Sequence, residues 1–417
     1  MSKLVITGGR PLCGIVEAGS SKNSVLALLA AAALGRGDVA LSNVPLNHDT
    51  MIMIELLRHL GATVQLAETT VTVNGAGLTN HQPPYDLVRR IRGSIYLAGL
   101  LLGRLGRAEV ALPGGDEIGS RPVDYHMRGF QALGAEVAVE HGLLIGRCQG
   151  LRGTRIYINR NSVGATINLI LAAVLAEGVT VLENPAQEPE IVDTAILLNG
   201  MGARIRGAGT GSIKIEGVKS LRSYAHVPIP DRIEAGTFLI ATAVAGGEVT
   251  VSNVIPEHLR MLVTKLREAG TEVTEVENGL RIVSRRPLTA VDVDTAVYPG
   301  FATDLQAPFG VLLSQAAGTG IIRETVFDNR FRYINELRRM GADIKVDHDT
   351  AIFRGVERLS GAPVAASDIR AGVALVIAGL AAEGVTEVSR IEHIDRGYVR
   401  FEEKLRQLGA EIKRVSS

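Results

Sequence analysis

The chain has 417 residues, a length that suggests two domains or more. Its residues are 46% apolar and 21% charged, a composition typical of a globular protein. The 44 basic residues balance the 44 acidic residues, which excludes a general binder of nucleic acids or acidic membranes. The two cysteines form no CxxC pair, and the sequence contains neither an apolar signal-peptide region nor an apolar run of membrane length. We therefore expect a cytoplasmic protein without a metal site.

One pattern recurs six times along the chain. A stretch with helical spacing of apolar residues ends at a glycine, and an alternation of polar and apolar residues follows. Each glycine is expected to provide the left-handed end of a helix, and each alternation is expected to begin a strand. The six glycines are separated by 68 to 73 residues and are Gly61, Gly134, Gly202, Gly270, Gly341 and Gly409.

A second recurring pattern consists of alanine-rich stretches, such as 25–34 and 169–176, that are apolar on nearly every face. Such stretches indicate helices buried inside a domain. Together the two patterns predict repeats with the order helix–strand–helix–strand–strand. We predict an α/β (α+β) fold in which two similar domains each contain three repeats. The stretch 226–236 has two prolines and lies outside the repeat, so we expect the joint between the domains there.

The first candidates for anion binding lie at the starts of predicted buried helices, where backbone N–H groups favour negative charge. Lys22 and Asn23 directly precede the helix that we expect to start near Val25. RRIRGSI at 89–95 places three arginines before another apolar helix. For Lys22 and Asn23 a functional role is favoured over a solvated lysine at a helix start. For the arginine run, solvated surface charge is the plainer interpretation.

The segment LPGGDEIGSRP at 112–122 combines three glycines with Arg121, which is typical of a loop that binds an anion. Asp116 and Glu117 lie in the same segment and would repel an anion. At least one of these acids is therefore expected to have a role other than anion binding.

Further candidates follow later in the chain, in the third, fifth and sixth repeats. Ser162 and Gly164 precede a predicted helix, and Asp304 lies near the start of another, where an acid also has a structural role. Arg370 begins the alanine-rich helix of the sixth repeat, and Arg396 lies in a polar loop. Arginine suits bidentate binding of carboxylate or phosphate.

Several familiar sites are missing from the sequence, which has no Ser-His-Asp order, Walker loop, zinc spacing or dinucleotide-binding glycine pattern. What remains is a set of arginines, one lysine and a few carboxylates, which we expect to meet in a cleft between the domains. This set suits anionic substrates and a proton-transfer reaction.

Over essentially its full length, the chain resembles the UDP-N-acetylglucosamine enolpyruvyl transferases of early peptidoglycan synthesis. The most specific segments are SKNS (21–24), LPGGDEIGSRPVD (112–124), SVGAT (162–166), EPEIVDT (188–194), PDRIEAGTF (230–238), FATDLQ (301–306), ETVFDNRF (324–331) and HIDRGY (393–398). The resemblance implies the inside-out α/β barrel of βαβαββ units shared with 5-enolpyruvylshikimate-3-phosphate synthases. It also implies one domain at 22–229, a second formed by 1–21 and 230–417, and an active site in the cleft between them.

The reaction implied by this resemblance joins the 3-hydroxyl of UDP-N-acetylglucosamine to C2 of phosphoenolpyruvate. A proton reaches C3, and a tetrahedral intermediate forms. Loss of a C3 proton then expels phosphate. These two small molecules are the only partners implied, and no metal or organic cofactor is needed.

The same resemblance implies the site residues. Asp116 would deliver the proton to C3, and Asp304 would accept a hydrogen bond or a proton from the 3-hydroxyl, with Lys22 and Arg396 completing the catalytic set. Phosphoenolpyruvate would be held by Lys22, Asn23, Arg121, Arg370 and Arg396. UDP-N-acetylglucosamine would be bound by Arg92, Arg121, Pro122, Val123, Asp124, Tyr125, Arg160, Asn161, Ser162, Val163, Gly164, Asp304 and Val326.

Two positions depart from the pattern common in that family. Asp116 stands where many members have a cysteine, and Ser20-Ser21 replaces a Gly-Ala pair before Lys22. In the family, fosfomycin alkylates that cysteine. Because a carboxylate is a far poorer nucleophile than a thiolate toward an epoxide, we expect resistance to fosfomycin.

Two alternatives stay open beside the main interpretation. The first is an enolpyruvyl transferase with another acceptor, such as a nucleotide in secondary metabolism or shikimate 3-phosphate. The segments RPVDY and SVGAT argue against shikimate but not against a nucleotide. The second is a non-catalytic paralogue, against which the joint presence of Lys22, Asp116, Asp304 and Arg396 argues.

Overall fold

The structure is a computed structural model that describes residues 2–112, 114, 123–285 and 287–416. Within these ranges the chain forms two compact units. The first unit comprises residues 20–112, 114 and 123–229, and the second unit comprises residues 2–19 and 230–416. Asp116, Arg121 and Pro122, for which the sequence predicted roles in catalysis or binding, lie outside the described residues.

Helices occur in every repeat. Those of the first unit are α1 (Lys22–Ala32), α2 (His48–His59), α3 (Tyr85–Val88), α4 (Tyr96–Leu105), α5 (Asp124–Ala132), α6 (Val163–Ala173) and α7 (Pro189–Gly200). Those of the second unit are α8 (Arg232–Ala245), α9 (Arg260–Glu268), α10 (Gln306–Leu313), α11 (Ile334–Arg339), α12 (Ile369–Ala381), α13 (Glu392–Asp395) and α14 (Phe401–Gln407). None of the helices in the described ranges combines the length and the apolar character needed to cross a lipid bilayer.

The strands are short. The second unit begins with β1 (Ser2–Thr7) and β2 (Leu12–Glu17). The first unit contains β3 (Val39–Leu41), β4 (Thr63–Ala67), β5 (Thr70–Asn74), β6 (Arg107–Ala111), β7 (Glu136–Glu140), β8 (Leu143–Arg147), β9 (Arg155–Tyr157), β10 (Val179–Glu183), β11 (Arg204–Arg206), β12 (Ser212–Glu216) and β13 (Tyr224–His226). The second unit continues with β14 (Gly247–Ser252), β15 (Glu272–Val276), β16 (Gly279–Ser284), β17 (Val293–Asp294), β18 (Thr319–Arg323), β19 (Asp343–Asp347), β20 (Thr350–Arg354), β21 (Pro363–Ala365), β22 (Val385–Ser389) and β23 (Glu411–Ser416).

The repeats expected from the glycine spacing are present. In the third repeat the order is β9, α6, β10, α7, β11 and β12, which is the βαβαββ order. Its sheet has the order β11-β12-β10-β9, with β9 parallel to β10 and the other pairs antiparallel. All six junction glycines have positive φ, between 91° and 103°. This left-handed conformation ends each helix, as the sequence predicted.

Strands from distant parts of the chain complete three of the sheets. β1 lies between β22 and β23 in the sheet of the sixth repeat, and β2 pairs in parallel with β14 in the fourth repeat. β13 pairs in parallel with β3 in the first repeat. The N-terminal strands therefore belong to the second unit. In the second repeat, within the residues that the structure describes, the sheet has the three strands β6-β8-β7.

Apolar helices form the centre of each unit. In the first unit α1, α4 and α6 pack against one another, and in the second unit α8, α10 and α12 do so. Nearly all residues of α1 and α6 are buried, as their alanine-rich sequences predicted. Helices α4 and α6 lie very close together at Gly99, where a Cβ would lie 2.4 Å from the backbone oxygen of Asn168. A larger residue at Gly99 would force α4 and α6 apart.

The first buried helix starts earlier than the sequence predicted. The expected start was near Val25, but α1 begins at Lys22. The reason is the cap: Ser21 Oγ accepts a hydrogen bond from the Ser24 N–H at 3.3 Å. Lys22 and Asn23 are therefore residues of the first helical turn.

Candidate functional site

In the first unit, Lys22 lies where the start of α1 faces the start of α2. Its Nζ contacts Asp49 Oδ2 at 3.2 Å, and the side chains of Lys22 and Asp49 are only 11% and 3% exposed. Asn23 is partly buried beside it in the sequence. The ammonium group is thus held in one direction, and the N–H groups at the start of α1 add positive potential. An anion bound at this helix start would meet both.

Arg92 lies near a neutral histidine in the same unit. It begins a 3-10 turn (Arg92–Ile95) that leads into α4. Burial of His126, together with the positive charge of Arg92, lowers the pKa of this imidazole to about 3. His126 Nδ1 accepts a hydrogen bond from Asn168 Nδ2 at 2.8 Å, so its single proton lies on Nε2. His126 is therefore an uncharged donor near neutral pH.

The start of α6 lies against His126 of α5. Ser162 caps α6 by accepting a hydrogen bond from the Ala165 N–H at 3.3 Å. The sequence predicted that Gly164 precedes this helix; that prediction was wrong, because the cap at Ser162 starts the helix at Val163 and Gly164 lies inside it. A Cβ on Gly164 would lie 3.3 Å from His126 Cε1. The structure thus brings the segments 123–126 and 162–164 together. On these segments and just before them, Val123, Asp124, Tyr125, Asn161 and Val163 are partly buried and Arg160 is exposed.

In the second unit, Asp304 lies between two arginines. Its Oδ1 accepts a hydrogen bond from Arg330 Nη2 at 2.6 Å, and its Oδ2 accepts one from Arg370 Nη2 at 2.7 Å. The side chains of Arg330 and Arg370 are 3% and 8% exposed, whereas that of Asp304 is 25% exposed. One carboxylate thus faces two nearly buried guanidinium groups. Guanidinium groups of this kind can also bind a carboxylate or phosphate group.

Arg370 is held at the start of α12. Burial by itself would lower the pKa of its guanidinium group, but the negative charge of Asp304 outweighs this effect and the pKa is raised. Its Nη1 donates to the Tyr398 hydroxyl at 2.9 Å, and that hydroxyl also contacts Thr237 Oγ1 at 2.8 Å. Asp368 caps the helix by accepting a hydrogen bond from the Arg370 N–H at 3.0 Å. The Arg370 side chain is therefore charged and fixed.

Arg396 follows α13 and lies two residues before Tyr398. Its neighbour Asp395 accepts two hydrogen bonds from Arg414 of β23, at 2.7 and 2.8 Å, and these fix the turn. Because Tyr398 contacts Arg370, the turn that carries Arg396 lies next to the Asp304–Arg370 pair.

Val326 is tied to the same region through Glu324. The buried Glu324 carboxylate accepts hydrogen bonds from the Val326 N–H at 2.9 Å and from Thr303 Oγ1 at 2.8 Å. Thr303 directly precedes Asp304 in a 3-10 turn (Thr303–Leu305). The second unit therefore brings together Val326, Asp304, Arg370 and the turn of Arg396.

The sequence did not point to Arg330, Asp49 or His126. Arg330 lies in the segment ETVFDNRF, but no local pattern shows that it reaches Asp304, 26 positions earlier. Asp49 looks like an ordinary acid in a first helical turn, and His126 looks like an ordinary core histidine. Only their packing shows where they lie.

Among the described residues, cations and the Asp304 carboxylate are the groups that suit the chemistry of anionic substrates. Lys22 in the first unit, and Arg330 and Arg370 in the second, can bind anionic groups, and Asp304 can accept a proton. Within the described ranges, no group of three or more His, Cys, Asp or Glu side chains is arranged to hold a metal ion.

Comparison with known proteins gives a consistent set of relatives. The family model of EPSP synthase (3-phosphoshikimate 1-carboxyvinyltransferase) matches residues 6–405. The chain is 58% identical over 416 residues to UDP-N-acetylglucosamine 1-carboxyvinyltransferase 2 of Symbiobacterium thermophilum, covering 99% of this chain and 98% of that relative. It is 52% identical over 418 residues to the protein of the same name from Carboxydothermus hydrogenoformans, covering 100% of both.

Solved structures show the same fold. The enolpyruvyl transferase NikO from Streptomyces tendae matches with a TM-score of 0.89 at 27% identity, covering 100% of this chain and 99% of that chain. The EPSP synthase from Acinetobacter baumannii matches with a TM-score of 0.77 at 17% identity, covering 100% of both. The predicted α/β fold of the enolpyruvyl transferases is confirmed.

Proposed function

The chain belongs to the EPSP synthase family, among its UDP-N-acetylglucosamine 1-carboxyvinyltransferases, and on that premise we propose that it transfers the enolpyruvyl group of phosphoenolpyruvate to UDP-N-acetylglucosamine. The acceptor is the 3-hydroxyl of the sugar, and phosphate is released. The observation that carries the proposal is the 58% identity, over 99% of the chain, to a relative of that name. In the cell this reaction would be the first committed step of peptidoglycan synthesis, in the cytoplasm.

The charges of the site suit these substrates. Phosphoenolpyruvate carries about three negative charges and the diphosphate of the nucleotide adds about two, and such groups are desolvated only against matched cations. Lys22 at the start of α1, and Arg330 and Arg370 around Asp304, are nearly buried cations of this kind.

The reaction requires one proton donor and one proton acceptor. In the addition step the 3-hydroxyl oxygen bonds to C2, its proton goes to Asp304, and Asp116 gives a proton to C3. In the elimination step a basic group of the site takes a proton from C3, the C3–H electron pair forms the C2–C3 double bond, and the C2–O bond to phosphate breaks so that phosphate leaves with that bond's electron pair. Asp116 must therefore be protonated for part of the cycle.

The two arginines at Asp304 indicate how its basicity would be controlled. Both guanidinium groups stabilise the ionised carboxylate and so disfavour its taking up a proton. An anionic group of phosphoenolpyruvate bound to Arg370 would offset the positive charge of that guanidinium group and so weaken its effect on Asp304. Arg330 would then keep Asp304 oriented while the carboxylate accepts the hydroxyl proton.

The remaining assignments rest on the family resemblance. Asn23, Arg121 and Arg396 would complete the phosphoenolpyruvate site. The sugar nucleotide would contact Arg92, Pro122, Val123, Asp124, Tyr125, Arg160, Asn161, Ser162, Val163, Gly164 and Val326. Asp116 in place of a cysteine would make the enzyme resistant to fosfomycin.

Phosphate release from phosphoenolpyruvate tests the proposal. The acceptors to compare are UDP-N-acetylglucosamine, UMP and shikimate 3-phosphate, with mass spectrometry of the product. We expect release with the UDP-sugar and a product heavier by one enolpyruvyl group. Release with UMP alone would assign another nucleotide acceptor. Release with none of the three would identify a non-catalytic paralogue.

A further inference from the structure

Asp193 is a buried acid that no step proposed above uses. It lies on α7, and its side chain is 1% exposed. Its Oδ1 accepts a hydrogen bond from His226 Nε2 at 2.7 Å, and its Oδ2 accepts from Ser24 Oγ and from the Ile229 N–H, the latter at 3.2 Å. A carboxylate so far from water is stable only when donors surround it, so these contacts define its role.

The donors to Asp193 come from the two ends of the first unit. Ser24 lies just after the chain enters this unit at residue 20, and His226 and Ile229 lie at its end, residue 229. The Ser21 N–H also donates to the Ile229 oxygen at 2.8 Å, so the two segments pair directly. Asp193 therefore joins the entering and the leaving segment from inside the unit.

Ser24 is the point at which this carboxylate holds α1. Lys22, Asn23 and Ser24 are successive residues of the first turn, and successive side chains on a helix point about 100° apart. Ser24 is fully buried, whereas Lys22 and Asn23 are partly buried. Holding the Ser24 hydroxyl therefore fixes the rotation of the first turn, and with it the directions of Lys22 and Asn23.

The Lys22 ammonium group has a separate acidic neighbour. Its Nζ contacts Asp49 Oδ2 at 3.2 Å, on a different helix from Asp193. One acid thus orients the charged end of the lysine, and the other holds the backbone that carries it. Removing Asp193 would leave the Asp49 contact possible but would remove the hydrogen bond that holds the Ser24 hydroxyl.

We propose that Asp193 is a positioning residue for phosphoenolpyruvate binding, acting through Ser24 on the first turn of α1. The inference rests on the proposed function, in which Lys22 and Asn23 bind phosphoenolpyruvate. Asp193 itself touches no substrate. His226 binds Oδ1, so that Oδ2 stays directed at Ser24. His226 therefore helps to orient the Asp193 carboxylate.

The test uses Asp193→Asn and Ser24→Ala in the full chain, with Ser284→Ala as the matched control. Ser284 is also a buried serine, and its hydroxyl donates to the Ala243 oxygen at 2.9 Å in the second unit. We expect both test variants to raise the KM for phosphoenolpyruvate by roughly tenfold or more, which corresponds to one lost hydrogen bond of a charged group. The Kd for UDP-N-acetylglucosamine and the kinetics of Ser284→Ala should stay within about twofold of the unaltered chain.

A conservative pair at position 226 adds a readout that a loss of stability alone would not produce. His226→Gln keeps an N–H donor for Asp193, so it should retain the KM for phosphoenolpyruvate, whereas His226→Leu should raise it. If Asp193→Asn fails to fold, the proposal is tested with Ser24→Ala alone, because this substitution removes only one hydroxyl group. If the variants bound both substrates more weakly to the same extent, and the Tm fell in parallel, the proposal would be overturned.

Two outcomes separate this inference from the proposed function. Absence of phosphate release by the unaltered chain with UDP-N-acetylglucosamine would refute the proposed function. Loss of phosphoenolpyruvate binding in Lys22→Ala, measured by calorimetry, together with unchanged binding in Ser24→Ala, would overturn the positioning role alone.

Discussion

Asp304→Asn should separate the binding of phosphoenolpyruvate from the chemistry. The amide keeps the shape of the side chain, but its nitrogen cannot accept a hydrogen bond. In the structure both carboxylate oxygens accept from guanidinium groups, at 2.6 Å from Arg330 and 2.7 Å from Arg370. The new NH₂ group must therefore face one of these arginines, donor against donor.

The size of the effect follows from the geometry. Opposite charges with centres about 4 Å apart attract by roughly 4 kcal/mol at an effective dielectric constant of about 20. The carboxylate is 25% exposed, and solvent screening reduces this to about 2 kcal/mol for each pair. If the substrate anion competes with Asp304 for Arg370, removal of the carboxylate should leave the Kd for phosphoenolpyruvate unchanged or lower it by up to roughly thirtyfold.

Turnover should fall, although the binding of phosphoenolpyruvate should not weaken. An amide cannot take the proton of the attacking hydroxyl, so kcat should fall by at least about a hundredfold. The free energy of unfolding should fall by about 3 kcal/mol, because two buried guanidinium groups lose their counter-charge. Calorimetry gives the Kd, phosphate release gives kcat, and urea titration gives the stability.

Asp294→Asn is the control for this experiment, because Asp294 is an exposed acid of the same unit whose side chain is 68% exposed. It should change none of the three quantities by more than the error of measurement. A Kd for phosphoenolpyruvate at least tenfold weaker in a folded Asp304→Asn protein would refute the competition between substrate and carboxylate. An unchanged kcat would refute the role of Asp304 as the base.

Three further predictions concern other parts of the chain. Asp116→Asn should abolish turnover, and Asp116→Cys should be inactivated by fosfomycin over time whereas the unaltered enzyme is not; inactivation of the unaltered enzyme would contradict the role given to Asp116. Burial lowers the pKa of His126 to about 3 in the folded protein, whereas the same imidazole in the unfolded chain keeps its ordinary pKa of 6.5. The unfolded state therefore binds a proton first as the pH falls, and stability is lost from about pH 6.5 toward pH 3. Between pH 7 and pH 5 the free energy of unfolding, measured with urea, should fall by about 2 kcal/mol, and this fall should be absent in His126→Gln. Gly99→Ala should cost about 3 kcal/mol, because its Cβ would meet Asn168, whereas Gly211→Ala, with open space around it, should be neutral by thermal unfolding.

Much of the fold could be predicted from the sequence because its signals are local. The six glycines end helices in the left-handed conformation, and this requirement acts within a single turn of chain. The alanine-rich stretches are apolar on all faces and can only be stable when buried, which identified the central helices of both units. The family resemblance supplied the fold, which the solved structures confirm.

Local patterns also had limits within single helices. The start of α1 was placed near Val25 because apolar character begins there, yet the helix starts at Lys22. The cap by Ser21 outweighs the polarity of the residues that follow it, since the cap satisfies a backbone donor that would otherwise be unpaired.

The partners of the site residues were decided only by the tertiary structure. Asp304 meets Arg330 and Arg370, which lie 26 and 66 positions away, and Asp193 meets Ser24 and His226, which lie 169 and 33 positions away. No periodicity encodes such pairs, because they depend on which helix starts converge once the apolar faces have packed. The sequence by itself therefore determined the repeats and the buried helices, and packing decided which charges neutralise one another.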